Sequence, residues 1–339
     1  YSNVNKANKN TLLALDYALE SSFDEVIIKN YYFGEEISMH GFSMQEKNEI
    51  SHSYLQEKKI VIYEQEEPFP QTYFNLSPRL ATMVASREEF LHYGLLLDAE
   101  IEHYFFENFF IDAKLSYSLT DNFDRLFLEP ITTYPAQVRS DIKKYLNQYG
   151  KGIFVEKLQA NYLKQIDSDN YISFKGGILE RMFMGYGFEY LNVSKKRNFA
   201  FGADVYSVHK RDYDMRFSRL PYETVTGHLN LYSYFEPLNL TTHISYGKYL
   251  AGDKGFTFDF SRRFENGTKF GAFFTLTDVS SEQFGEGSFD KGIYFSIPFG
   301  GLSPNQPSSS FLWRPLTKDP GQKLNLDDRL FDLQQRYLH

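Results

Sequence analysis

Aromatic and polar residues alternate through residues 255–300, GFTFDFSRRFENGTKFGAFFTLTDVSSEQFGEGSFDKGIYFSIPFG, and this period of two constrains the fold more than any other feature. Successive side chains of a β-strand point to opposite faces, so Phe256, Phe258 and Phe260 share one face. Asn266-Gly267 then supplies the dipeptide typical of a type I′ hairpin turn. The sequence therefore predicts a hairpin with one apolar face and one polar face.

Segments with the same alternation follow one another along the chain from residue 72. They are longer than the strands of globular sheets, which cluster near about 5–6 residues, and long enough for tilted membrane-spanning strands, which need about 9–11. The fold class predicted is mainly β, a transmembrane antiparallel β-barrel of about 12–13 strands. The segments are 72–86, 89–105, 108–119, 153–166, 170–180, 187–195, 198–209, 223–236, 238–250, 254–264, 268–279, 289–299 and, as a possible thirteenth, 309–317.

The composition indicates that polar and apolar residues alternate closely along the chain. Aromatic residues make up 18% of the chain, yet the mean hydropathy is −0.45. No apolar run approaches the about 20 residues of a membrane helix. The net charge of −8 and the scattered Lys and Arg exclude a nucleic-acid partner. With no cysteine, the chain has neither disulfides nor thiolate metal ligands.

The chain divides into three parts. Residues 1–67 predict a small α/β domain, expected in the periplasm, with helices near 12–19 and 44–55 and strands at 26–32, 36–40 and 59–63. The charged, proline-bearing stretch 64–70 marks the boundary. Residues 68–318 form the predicted barrel or barrel part, and residues 319–339 form a C-terminal tail. An even strand count would return this tail to the side of the N-terminal domain.

The connections between segments alternate between short turns and longer links, as they do in bacterial barrels, except at 86–89 and 251–255, which are short where long links are expected. Short turns are predicted at 107–108, 167–169, 195–197, 236–237 and 266–267, and longer links at 120–152, 181–187, 210–222 and 280–288. The link 120–152 is too long for a simple turn. Val138, Ile142, Tyr145, Leu146 and Tyr149 recur in it at helical spacing, so an amphipathic helix covering one mouth of the pore competes with a decorated surface loop.

Alternation assigns the two faces of each strand. Lipid is expected to meet the apolar set: Leu229, Leu231, Leu238, Leu240, Ile244, Phe256, Phe258, Phe274, Ile293, Phe295 and Ile297. The lumen is expected to receive the polar set. Its candidates for contact with a polysaccharide are Tyr206, His228, Asn230, Tyr232, His243, Asp259, Arg263 and Tyr294.

His228 and His243 lie on neighbouring predicted strands and on the same polar face. A metal pair or an acid/base pair is conceivable there. No third ligand stands at a fixed spacing, and no Gly-x-Ser-x-Gly motif occurs. We therefore expect ordinary lumen polarity, with no catalytic residue, no cofactor and no metal.

Arg263 and Asp259 share the polar face of one predicted strand and could pair. Such charges could guide an anionic or hydroxyl-rich solute, and Tyr206, Tyr232 and Tyr294 would offer flat surfaces for stacking sugar rings. The alternative is a salt bridge that only stiffens the wall. The sequence leaves both interpretations open.

Several stretches carry a family resemblance: GKYLAGDKGFTFDFSRRFENGTKFGAFFTLTDVSSEQFGEGSFDKGIYFSIPFG (247–300), GGILERMFMGYGFEY (176–190), YETVTGHLNLYSYF (222–235) and FLWRPLTKDPGQKL (311–324). The FGEGSFDKG segment at 284–292 is specific enough to make chance a poor explanation. In these residues the chain resembles the YjbH-type (GfcD-like) outer-membrane proteins of bacterial exopolysaccharide and group 4 capsule operons. The resemblance covers most of the chain after residue 70.

The resemblance implies an outer-membrane β-barrel that takes part in export or assembly of an exopolysaccharide or capsule, and it implies no catalytic residues. The implied partners are the polysaccharide, outer-membrane lipid and other envelope proteins of the operon. Family members carry a further β-rich portion ahead of an α/β segment, so a missing N-terminal portion of the same protein is a further candidate partner.

Three other functions compete with export. A general small-solute porin would conduct without sugar preference. A barrel hydrolase acting at the rim would use His228 or His243 as acid/base. A soluble β-sandwich adhesin would bury the phenylalanine-bearing faces between two sheets.

Overall fold

The computed structural model describes residues 25–32, 35–43, 49–50, 69–84, 91–126, 135–167, 169–194, 199–264, 268–285, 287–298, 308–314, 318–326 and 328–337. Most of these residues lie in strands of two antiparallel sheets. Among them, no helix combines the length and the apolar character needed to cross a membrane.

The smaller sheet belongs to the N-terminal part of the chain. Its strands are β1 (Glu25–Tyr32), β2 (Glu35–Ser43) and β3 (Glu49–Ile50). The first two confirm predicted strands. The predicted helix over 44–55 is wrong at β3, because Glu49 and Ile50 pair with Phe42 and Gly41 of β2. The helix near 12–19, the strand at 59–63 and residues 64–68 of the predicted boundary lie outside the described residues.

The larger sheet contains thirteen strands that lie side by side in chain order. Each coincides with one of the thirteen predicted segments, which confirms a mainly β chain built on one long antiparallel sheet. The strands are β4 (Gln71–Val84), β5 (Leu91–Phe106), β6 (Phe109–Asp121), β7 (Ile153–Gln165), β8 (Asn170–Ile178), β9 (Phe183–Ser194), β10 (Phe199–Arg211), β11 (Arg219–Phe235), β12 (Leu240–Lys248), β13 (Lys254–Arg263), β14 (Lys269–Thr277), β15 (Asp290–Pro298) and β16 (Ser308–Trp313).

The predicted link at 181–187 is wrong, because β9 already begins at Phe183. Gly185 and Gly187 carry no side chain, so the alternation of apolar and polar residues is not visible there in the sequence. The predicted turns at 107–108 and 236–237 are confirmed as short connections. The Asn266-Gly267 turn lies outside the described residues.

The larger sheet curls until its two edge strands come close to each other. Cα atoms of β4 lie within 8 Å of Cα atoms of β16. Among the described residues no hydrogen-bonded ladder joins the two strands, so the sheet is not closed into a barrel. We call this approach of β4 and β16 the seam.

Curling gives the sheet an inner and an outer face. On β11, His228, Asn230 and Tyr232 are buried on the inner face, whereas Leu229 and Leu231 are 55% and 44% exposed on the outer face. The same alternation exposes large apolar side chains on most strands: Phe74, Leu76, Leu80, Leu91, Leu119, Phe201, Val225, Phe256, Phe260, Phe270, Leu276, Ile293 and Ile297. The inner face is therefore polar and covered, and the outer face is apolar and uncovered.

Two segments cover the inner face. The 135–152 segment contains helix α1 (Ile142–Leu146), which confirms a shorter form of the predicted helix, and a 3-10 turn at Tyr149–Lys151. The C-terminal segment, residues 318–337, ends in helix α3 (Leu330–Tyr337). A further short helix, α2 (Ser281–Phe284), lies in the link between β14 and β15.

The C-terminal segment joins two apolar clusters at opposite ends of the inner face. Leu324 and Leu326 pack in a cluster at the end with the longer links, which holds buried side chains of the 135–152 segment: Val138, Tyr145, Leu146 and Tyr149. Leu330 packs in a second cluster at the end with the short turns, with Tyr104, Tyr171 and Tyr232. The segment thus runs along the inner face from end to end. It does not project away from the sheet as a free tail.

Candidate functional site

A network of buried polar side chains occupies the middle of the inner face. Asp204 of β10 lies 3.3 Å from Nδ1 of His228 and accepts a 2.8 Å hydrogen bond from Nδ2 of Asn230. Nε2 of His243 lies 2.9 Å from Oδ1 of Asn230. Residues on paired strands reach each other across a sheet when they share a face. The structure thus brings together three predicted lumen residues around a carboxylate, Asp204, that the sequence did not single out.

The C-terminal segment is anchored to this face by ion pairs. Nη1 of Arg329 lies 3.5 Å from Oε1 of Glu189 and 3.6 Å from Oδ2 of Asp204. Asp328 pairs with Lys175 at 3.1 Å and accepts a 2.8 Å hydrogen bond from Gln159. Because these partners are buried, the segment neutralises charges that would otherwise be unpaired away from water.

Aromatic stacking adds to these anchors. The ring of Tyr232 stacks on Phe331 of α3, with centroids 3.6 Å apart, and on His243 at 4.2 Å. Tyr232 is only 8% exposed. Both ring faces are therefore occupied by the protein, and Tyr232 has no free surface for a sugar in this conformation.

Two other tyrosines predicted to stack sugars lie over glycines of neighbouring strands. A Cβ built on Gly187 would come within 2.1 Å of the Tyr206 ring, and one built on Gly271 within 2.4 Å of the Tyr294 ring. The Tyr206 hydroxyl donates to Glu189 at 2.8 Å, and the Tyr294 hydroxyl donates to Asp259 at 2.8 Å. Aromatic rings that cover cross-strand glycines stabilise curved sheets. We assign both tyrosines a structural role in the conformation described.

We expect Gly187→Ala to destabilise the protein by about 1–3 kcal/mol, because the Tyr206 ring is fully buried and has no room to move. Urea unfolding in detergent micelles measures this difference. Gly150→Ala is the matched control, since the nearest atom to its added Cβ is 4.0 Å away. Equal unfolding midpoints for the two variants would contradict the assignment.

His228 forms a carboxylate–histidine pair with Asp204, as a rim hydrolase would require. The two side chains are only 2% and 5% exposed, beneath the C-terminal segment. Within the described part of the chain, no group of three or more His, Asp or Glu residues has a metal-binding arrangement. The pair is therefore a buried structural contact in this conformation, without access for a substrate.

Asp259 and Arg263 do not pair as predicted. Four residues along a strand span about 13 Å, which separates the two side chains. Asp259 accepts its hydrogen bond from Tyr294 of β15 instead, and the Arg263 carbonyl oxygen accepts one of 2.9 Å from Asn239. Asp259 therefore belongs to the tyrosine contacts of the inner face.

Asp319 connects the two covering segments through hydrogen bonds, and no sequence pattern predicted this role. Its carboxylate accepts hydrogen bonds of 2.7 to 2.9 Å from the backbone N–H groups of Val138, Arg139 and Ser140, and one of 2.6 Å from the Ser140 hydroxyl. Asp319 is fully buried. Nothing in the polar stretch KDPGQKL distinguishes this aspartate from a solvent-exposed one.

Lys323 of the C-terminal segment donates to the Ser245 hydroxyl of β12. Burial, with repulsion from Arg329, lowers the pKa of Lys323 to about 7, against the attraction of Asp204 and Asp259. A free lysine has a pKa of about 10.4. At a pH between these two pKa values, Lys323 is protonated when the C-terminal segment is detached and neutral when the segment is docked. Docking therefore strengthens as pH rises above 7.

We expect amide hydrogen-exchange protection of residues 318–326, corrected for intrinsic exchange, to rise from pH 7 to pH 9 by up to about tenfold per pH unit. Lys323→Met should abolish the rise. The neighbouring groups Asp204, Asp259, Arg329, His228 and His243 are present in both proteins, so the variant isolates Lys323. An identical rise in Lys323→Met would contradict the assignment.

Comparison of the sequence with known proteins identifies the family of this chain. Residues 18–336 match the family described as "Exopolysaccharide biosynthesis protein YbjH". The chain belongs to the YjbH family. The resemblance found in the sequence is thereby confirmed.

One YjbH relative is the "Uncharacterized lipoprotein YjbH" of Escherichia coli (strain K12), which is 33% identical over 272 residues. The matched part is 77% of this chain and 38% of the relative. The chain thus spans well under half the length of that YjbH protein.

Proposed function

We propose that this YjbH-family chain is a membrane-spanning β-barrel, or part of one, in the bacterial outer membrane, where it takes part in export or assembly of an exopolysaccharide or capsule. The observation that carries the proposal is the outer face of the thirteen-stranded sheet. Side chains such as Leu229, Phe256 and Leu276 are 45–55% exposed there. Water disfavours such a surface and hydrocarbon accommodates it. The family description supplies the link to exopolysaccharide.

The seam supports the proposal that the sheet forms a continuous barrel wall in the membrane. Unpaired strand edges are not tolerated in lipid, so β4 and β16 need partners in the membrane. They lie close enough to pair with each other after a small shift. The alternative partner is a further β-rich portion of the same protein, which the family resemblance implies. In either case the wall becomes continuous, and residues 1–67 lie in the periplasm.

The filled inner face favours export over a permanently open porin. The C-terminal segment occupies the space that solute would cross, so passage of a polymer requires this segment to move. We propose that the protein performs no catalysis of its own and works with other envelope proteins of its operon. The polysaccharide contacts the inner face after the C-terminal segment is displaced.

A deletion strain tests the proposal. We expect loss of the gene to lower surface polysaccharide and expression of the full-length gene to restore it. Full-length protein with Leu229→Arg and Leu231→Arg should fail to restore it and should leave the outer-membrane fraction, because arginine on a lipid-facing strand costs about 2–4 kcal/mol at the bilayer midplane.

Arg216→Gln is the matched control, because Arg216 is exposed in the link between β10 and β11. It should behave as wild type. Normal polysaccharide in the deletion strain, or normal outer-membrane recovery of the double arginine variant, would overturn the proposal. Open conductance in planar bilayers with the C-terminal segment in place would favour the porin.

A further inference from the structure

A cavity of about 350 Å³ lies beside the seam, between the sheet and the two covering segments. Small-molecule sites occupy about 300–1,000 Å³, so the cavity has room for a small ligand. Its walls come from β4, β6, β7 and β16, from the turn at 179–182, and from both covering segments. It is not part of the aromatic and histidine network described above.

The cavity is basic although the chain is acidic. The net charge of the chain is −8. The cavity walls carry two carboxylates, Glu156 and Glu180, and six cations: Arg79, Lys114, Arg139, Lys157, Arg181 and Arg314. Four further carboxylates that do not line the cavity pair with these cations: Asp98, Glu100, Asp112 and Asp290. The cations therefore face the cavity while most of their counter-charges do not.

Two arginines share one carboxylate and retain free donors. Oε1 of Glu156 lies 3.1 Å from Nη2 of Arg79 and 2.9 Å from Nη2 of Arg181. Among the described residues, Nη1 of each arginine donates to no acceptor. The side chains of Arg79 and Arg181 are 24% and 25% exposed, so they are accessible from the cavity. A guanidinium presents five donors in a fixed plane that suits a carboxylate or phosphate.

We propose that this cavity binds an anionic sugar residue, one that carries a carboxylate group, through Arg79 and Arg181. The identification of that sugar as part of the polysaccharide rests on the proposed function. The cavity adjoins Asn325 of the C-terminal segment and Arg139 of the 135–152 segment. A ligand bound there contacts both segments that cover the inner face. The protein thereby recognises acidic polymers in preference to neutral ones.

Calorimetric titration of the full-length protein in detergent micelles tests the proposal with D-glucuronate, D-glucose and inorganic phosphate as probes. We expect D-glucuronate to bind and D-glucose not to bind. Affinity should fall as salt rises, because ions screen the attraction. Arg181→Gln should weaken D-glucuronate binding at least tenfold, and Arg216→Gln should leave it unchanged.

Asn325→Trp provides a second variant that removes no charge. Asn325 is exposed at the cavity wall, so tryptophan there fills the cavity without disturbing the buried ion pairs. It should also weaken binding at least tenfold. Equal binding of D-glucose and D-glucuronate, or unchanged affinity in both variants, would overturn the proposal. Phosphate binding without D-glucuronate binding would assign the cavity to a free anion and overturn the sugar assignment.

The experiments distinguish a failure of the export proposal from a failure of the cavity proposal. Normal surface polysaccharide in the deletion strain, together with intact D-glucuronate binding, would contradict only the export role. Loss of polysaccharide in that strain, together with no binding of D-glucuronate, would contradict only the cavity assignment.

Discussion

Asp319→Ala is expected to detach the C-terminal segment from the 135–152 segment. The change leaves three backbone N–H groups and one hydroxyl without their acceptor in a fully buried position. Each unsatisfied buried donor costs about 1–3 kcal/mol, and water entering the gap offsets part of this. We expect the local stability to fall by about 3–5 kcal/mol, which lowers exchange protection at Val138, Arg139 and Ser140 by at least a hundredfold.

Asp319→Asn is the matched control. The asparagine keeps one carbonyl oxygen for the backbone N–H groups, and its amide can donate to the Ser140 hydroxyl. Its effect should stay near about 1 kcal/mol. Hydrogen exchange with mass spectrometry measures both variants. Unchanged protection of residues 138–140 in Asp319→Ala would show that this aspartate does not hold the two segments together.

Arg329→Ala is expected to release the part of the C-terminal segment that lies along the short-turn end of the inner face. Burial opposes the charged form of Arg329, but the attraction of Asp204 and Glu189 is stronger and raises its pKa. Without the guanidinium these two carboxylates remain buried without their shared cation. Breaking a buried ion pair from one side costs about 3–5 kcal/mol. Protection of α3 amides should therefore collapse.

Limited trypsin digestion measures the same event, because Arg336 lies in α3, within the released part of the segment. Cleavage after Arg336 should be fast in Arg329→Ala and slow in wild type. Arg329→Lys keeps the charge but loses the planar fork, so its effect should be intermediate. Arg216→Ala should match wild type. Wild-type cleavage rates in Arg329→Ala would contradict the anchoring role of Arg329.

Most of the larger sheet could be predicted from the sequence, because its determinant is local. Alternation of polar and apolar residues with a period of two identifies strands such as β11 and β13 without reference to distant residues. All thirteen predicted segments are strands in the structure. The start of β9 was predicted wrongly, because Gly185 and Gly187 have no side chains and so show no alternation of polar and apolar residues. Whether the edges β4 and β16 pair could not be predicted, since pairing depends on residues far apart in the chain.

The candidate site could be predicted only in part. Alternation assigned Tyr206, His228, Asn230 and Tyr232 to the polar face expected to line a lumen, and the structure buries all four on the inner face. It could not reveal what covers that face, because most residues of the C-terminal segment are polar, as in a solvent-exposed tail.

The partners of the inner-face residues depend on three-dimensional contacts, so the sequence pattern could not supply them. Arg329 meets Asp204, and Phe331 meets Tyr232, only through the fold. The stacking surfaces predicted for sugars are taken by these contacts and by the cross-strand glycines.

Spin labels test the central claim, that the apolar outer face contacts lipid and the polar inner face is covered, most directly. The chain has no cysteine, so single cysteines at Leu229, Leu231, Asn230 and Ser245 can each carry one label. In lipid vesicles, labels at the first two positions should collide frequently with oxygen and rarely with a water-soluble nickel complex. Labels at the last two should collide rarely with both. Frequent nickel collisions at Leu229 and Leu231 would contradict the account.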